Sequence, residues 1–395
     1  MGHAWIKTAL PLATLATALA QALPAAAAQV IMTPTTISSA LAQVRPGDTL
    51  VLQGDFTSRL VIMNRDFGSV TIDGSQARLL QGMQLRNIHN VTFSQLNVGQ
   101  AGQSTTNRFA INMDLSSHVS FANINVQGNG GTAGTGLRVH NSQFVTVRDS
   151  RFEGLMDGLT LITVPNSLVT RNQFVGGGSD GLKLVDSQRV ILSGNSCTGF
   201  VAVPGAHPDC MQFWSRVDKP LQSDIYVLNN LVIGDQQGFA SFDPEPISGT
   251  RFTFAGNYVA INRAHGVSCI GCTDSRFEDN VLVSLPDSSR LAGLHAPSGQ
   301  GNSFSNNLRF DLRGINSPLS EILPSRLYSA IVPSIADQVG SQFDSREWRV
   351  SDGMAAQSFS APPAPEPASW LLMLVGFALV GRAMRRQPGP PTVLA

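Results

Sequence analysis

The residues best suited to chemistry lie in two short stretches, His207-Pro208-Asp209 with Gln212 close behind, and Asp180-Gly181-Leu182-Lys183 before them. Asp157 and Arg138 stand further upstream. Together they offer an imidazole, an amine, a guanidinium, an amide and three carboxylates. One chemistry open to such a set is removal of a proton from a carbon whose neighbouring carboxylate has been neutralised. Lys183 or His207 is then the candidate base, if burial or neighbours bring its pKa toward the working pH. Arg138 has the planar fork that grips a carboxylate, and calcium on the aspartates supplies the same neutralisation. Asp180 and Asp209 complete the catalytic candidates, with Asp157 and Gln212 beside Arg138 for binding substrate. The second chemistry is cleavage of a glycosidic bond between two carboxylates, Asp180 with Asp209 or Asp157 with Asp209. Plainer roles compete, because Asp before Gly is a common turn residue and Lys183 and Arg138 also suit a solvated surface. His265 and His295 lie farther along the chain and are weaker candidates.

These residues need a scaffold that brings distant positions together. An asparagine closes one short apolar strand after another, at Asn172, Asn195, Asn230, Asn257, Asn280 and Asn307, in steps of 23, 35, 27, 23 and 27 residues. Steps of that size mark stacked repeats. Asn tolerates the left-handed backbone of a sharp corner, and stacked amides can bond from coil to coil. Alternation along the strands places one outward column at Asn112, Arg138, Thr160, Lys183, Gln212, Ser241, Ser268 and His295. Three positions earlier lies a second column with Asp157, Asp180, Asp209 and His265. Adjacent coils lie about 4.8 Å apart, so residues far apart in sequence become neighbours. The long step from Asn195 to Asn230 marks an insertion, where repeat proteins often bind; it contains His207.

This pattern resembles the right-handed parallel β-helix of pectate lyases, polygalacturonases, alginate lyases and mannuronan epimerases, over roughly residues 30–315. The resemblance implies an all-β, single-stranded solenoid with a short N-terminal helical cap, here residues 38–56, covering the first coil's edge. It also implies a carbohydrate-active protein, either a lyase or an epimerase on an acidic exopolysaccharide. Two alternatives stay open: a non-catalytic surface or matrix polysaccharide-binding protein, and a glycoside hydrolase. The polygalacturonase motifs N-T-D, D-D, G-H-G and R-I-K have no clear counterpart, and the epimerase motif D-P-H-E is missing.

The ends read separately. Residues 1–28 fit a secretory signal, ending at Ala26-Ala27-Ala28. The solenoid is expected over 29–316, a capping region over 317–355, and a Pro/Ala-rich linker over 356–369. Residues 370–386 hold an apolar run and Arg382, Arg385 and Arg386, and 387–395 form a tail. Pro365-Glu366-Pro367, the apolar run and the arginines resemble the PEP-CTERM sorting signal of Gram-negative bacteria. That resemblance implies export through the inner membrane to the cell surface or extracellular matrix, a transient C-terminal membrane anchor, and processing by an exosortase. Net charge is zero and the solenoid has no basic run, which argues against general nucleic-acid binding. Four cysteines in an exported chain suit two disulfides, with pairing left open.

Overall fold

Strand residues in this chain recur with the same inward set, and the structure stacks them. It is a computed structural model whose described residues are 27–99, 108–243 and 248–314, all within the first of two compact units, Met1–Ile315. They form one continuous sheet of 29 strands and a single helix. The strands Thr135–His140, Gln143–Arg148 and Arg151–Glu153 make one coil, and Asp157–Ile162, Ser167–Thr170 and Gln173–Val175 the next. Corresponding strands pair in parallel, with Leu137 on Leu159, Val147 on Val169 and Phe152 on Phe174. The fold is a parallel β-solenoid, as the repeat predicts.

Alternation sends every second side chain into a core that runs the length of the solenoid. Leu137, Leu159, Leu182, Met211, Phe239 and Val267 form one buried column. Phenylalanines stack between coils, Phe152 on Phe174 at 5.3 Å and Phe254 on Phe277 at 5.3 Å. Each such burial contributes about 1.5–3 kcal/mol, so a one-residue slip would expose a whole column. The helix Ile37–Gln43 closes the N-terminal end, with Ala40 and the following Val44 in the core.

The asparagines form a ladder, but they do not make the left-handed corner. Each Nδ2 donates to the next Oδ1, from Asn172 through Asn195, Asn230, Asn257 and Asn280 to Asn307, at 2.9–3.1 Å. The left-handed residue is the one before, as at Arg171 (φ 54°), Asn229 (φ 53°) and Asp279 (φ 54°). The corner turns first, which frees the following amide to point inward and stack.

Two further expectations are corrected. Asp157 begins a strand rather than a turn, and the Asp180 carbonyl accepts the ladder bond of the Gly158 N–H on the neighbouring coil. Glycine follows them for space, since a Cβ on Gly181 would lie 2.7 Å from the Cys210 carbonyl oxygen. Ser241 does not face outward. Gln212 lies on Ala240, and Ser241 takes an inward place between Phe213 and Cys269. A serine at a core position broke the apolar pattern used to set that register.

Cys197 is bonded to Cys210 and Cys269 to Cys272. The signal, capping, linker, apolar and tail segments expected at the two ends lie, but for a few residues, outside the described residues. Among the described residues no helix is long and apolar enough to cross a membrane.

Candidate functional site

The strands that begin at Asp157 and Asp209, with the strand Leu182–Val185 between them, bring two polar columns to one face. The outward column runs Asn112, Arg138, Thr160, Lys183, Gln212, Ala240, Ser268 and His295. Beside it Thr135 stacks on Asp157 and Asp209 on Gln237. The Asp180 carboxylate reaches the Asp209 N–H at 2.9 Å, and the Asp180 N–H points at the Asp157 carboxylate at 3.4 Å. Asp157, Asp180, Lys183, Asp209, His207 and Gln212 therefore share three adjacent coils.

Lys183 sits between two acids. Its Nζ is 2.8 Å from Asp157 Oδ1 and 3.1 Å from Asp180 Oδ2. Burial pulls its pKa down, but Asp180 and Asp157 more than offset that, and the value is raised. Lys183 is therefore a fixed ammonium, and the expectation that it is tuned to act as a base fails for lack of a lone pair. Asp180, 3% exposed, is pushed up by burial despite Lys183.

Asp209 has no such cation at bonding distance. Its side chain is fully buried, and neither oxygen has a hydrogen-bond partner among the described residues. Burial and then Asp180 push its pKa up to about 9, against Lys183 and Arg263, so it is a neutral acid at pH 7. His207 lies over it with Nδ1 3.6 Å from Asp209 Oδ2, too long for a hydrogen bond. The imidazole is 58% exposed and sits in the insertion whose ends Cys197 and Cys210 tie together.

A paired-carboxylate hydrolase is poorly served here. Asp157 and Asp180 are bound to Lys183, and Asp180 and Asp209 are both buried. A calcium cage does not fit either. Lys183 fills the space between two of the aspartates, and no metal-binding group of three acids, histidines or cysteines occurs among the described residues.

Arg138 lies away from this cluster. Two coil steps separate it from Lys183 and three from Gln212, about 10 and 14 Å at ~4.8 Å per step. The sequence reading missed Gln237 and Phe242. Gln237 stands two residues before inward Phe239, the same offset as Asp209 before Met211, so the spacing was there to find. Phe242 lies edge-on between His207 (6.2 Å) and His265 (5.0 Å). His265 bonds Ser268 Oγ at 2.8 Å and lies 5.4 Å from the His295 ring. Burial, then His295 and Arg290, lower its pKa.

Residues 109–307 match the family described as the right-handed beta helix region. The chain belongs to that family. Residues 363–387 match the PEP-CTERM protein-sorting motif, a signal for exosortase processing, export and a surface or secreted location. No curated protein sequence matches this β-helix chain. Among solved structures, the alginate lyase from Paenibacillus sp. str. FPU-7 is similar at 14% identity and a TM-score of 0.40, over 71% of this chain and 99% of that one. The Streptococcus pneumoniae surface adhesin PfbA gives 12% and 0.45, over 71% and 82%. The A-module of the Azotobacter vinelandii mannuronan C-5 epimerase AlgE4 gives 14% and 0.40, over 72% and 91%.

Proposed function

We propose that this protein is an exported β-helix enzyme acting on an acidic exopolysaccharide, by elimination or epimerisation, with His207 as the base. One observation carries the reading: an exposed imidazole stands over a buried, neutral carboxyl, one coil from a fixed ammonium. The imidazole takes the proton at C5 of a uronate unit. Lys183, with one N–H not spent on Asp157 or Asp180, offsets the charge that grows on the substrate carboxylate. In elimination the C5–H electrons form the C4=C5 bond, the C4–O bond breaks, and the leaving oxygen takes a proton from water. In epimerisation water on the opposite face supplies the proton that returns to C5. Asp209, neutral and 3.6 Å from the ring, places no charge against the imidazole in its resting state.

A second reading, a matrix-binding protein without turnover, is favoured by the mutual satisfaction of Lys183, Asp157 and Asp180. The sorting motif serves both readings. The proposed route passes through the inner membrane of a Gram-negative cell, with the apolar run 370–380 as a transient anchor.

The test is incubation of the purified protein with polyuronates while ultraviolet absorbance from new double bonds is followed, with NMR of the recovered polymer for inverted C5 centres. His207→Ala should lower turnover by at least about a hundredfold and leave polymer binding intact. Turnover unchanged in that variant removes the base. Binding with no turnover in the wild type favours the matrix reading.

A further inference from the structure

Arg138 is placed too far along the solenoid to act on the sugar that reacts, and its surroundings mark a different task. Unlike Arg171, Arg216 and Arg251, each bonded to an aspartate, Arg138 makes no carboxylate contact among the described residues. Its Nη1 donates to Asn112 Oδ1 at 3.0 Å, and its guanidinium lies 5.3 Å from the centre of the Phe109 ring. Asn112 is itself held by Gln84 Oε1 at 3.1 Å. The side chain is thus held by an amide chain and an aromatic face, with its other donors free of partners among the described residues.

The charge around it is positive. Arg108 lies over the same Phe109 ring at 5.5 Å. Asp114, whose carboxylate acts on Arg138 as a counter-charge, is shared with His140 at 3.2 Å and Arg86 at 3.7 Å. A planar guanidinium with spare donors, fixed in place beside a second arginine, is a receptor for a carboxylate.

We infer that Arg138, with Arg108 and Phe109, forms a remote subsite for a second acidic sugar of the same polymer, three coil steps from His207. This rests on the polyuronate reading above. A pyranose unit in an extended chain is about as long as one coil step, so a polymer lying along the face puts its acidic unit at Arg138 some three sugars from the reacting one. Thr160, uncharged, lies between Arg138 and Lys183 in the column. The site therefore selects for chain length and for a charged unit at a set spacing, and Arg138 is a specificity residue rather than a catalytic one.

The experiment measures binding by calorimetry of oligogalacturonates and oligomannuronates, three and six units long, to the full protein carrying His207→Ala so that ligands stay intact. Adding Arg138→Gln should weaken the six-unit ligands about tenfold and flatten their salt dependence, with the three-unit ligands little changed. Arg138→Lys, which keeps the charge and loses the fork, should fall between. Equal loss for both lengths, no loss at all, or failure of both six-unit ligands to bind overturns the subsite. The turnover comparison of wild type with His207→Ala reports separately on the base, so either idea can fail alone.

Discussion

Two polar stacks climb the same solenoid and end in opposite states. In the asparagine stack each interior amide has a donor and an acceptor. At Asn230, Oδ1 accepts from the Asn195 N–H and Nδ2, while Nδ2 donates to Asn257 Oδ1 and the Leu192 carbonyl. An aspartate stacked in the same way brings only acceptors. Asp157 and Asp180 are made tolerable by Lys183 and by backbone N–H groups. At Asp209 these compensations run out, and the carboxyl holds its proton instead. One stack contributes stability; the other concentrates polar tension at the coil where His207 meets solvent.

The contrast is broken most severely at the middle of the ladder. Asn230→Ala orphans two buried donors on Asn195 and removes the donor to Leu192 and Asn257, so a loss of about 3–5 kcal/mol is expected in denaturant unfolding. A loss below about 1 kcal/mol would show that the ladder is only tolerated. Lys183→Met comes next. Leaving Asp157 and Asp180 without their cation should cost about 3 kcal/mol at pH 7, with much of it recovered at low pH as the carboxylates protonate. A cost that does not shrink on acidification would remove Lys183 as the stack's counter-charge.

Asp209→Asn sharpens the comparison through its pH dependence. The folded pKa of Asp209, about 9, lies above its unfolded value of about 4. Between those values the folded state binds a proton that the unfolded state does not, so wild-type stability falls as pH rises through that window, by at most about 1.4 kcal/mol per unit. The amide variant lacks this slope. Melting temperatures from pH 5 to 9 should therefore shift steadily in favour of the variant as pH rises, and a constant difference would mean that Asp209 is ionised when folded.

Much of this was legible along the chain, and the exceptions have physical causes. The asparagine interval, the G-L-x-L units and the helix before Pro46 pointed to the solenoid because a repeat writes each contact many times. The placing of Ser241 failed because a lone polar residue can occupy a core position without disturbing its neighbours. Residue types and offsets drew Asp157, Asp180, Lys183, Asp209 and Gln212 together. Phe242 carried no such mark, since it becomes relevant only through rings contributed by other coils.

By itself the sequence determined the winding, the ladder and the sorting signal, because each is a local or periodic pattern of side-chain types. Only the tertiary structure decided that Lys183 is a locked cation, Asp209 a neutral acid and Arg138 remote from both. Those states depend on burial and on separations of a few ångströms between coils, and charge responds to distance and solvent rather than to order along the chain.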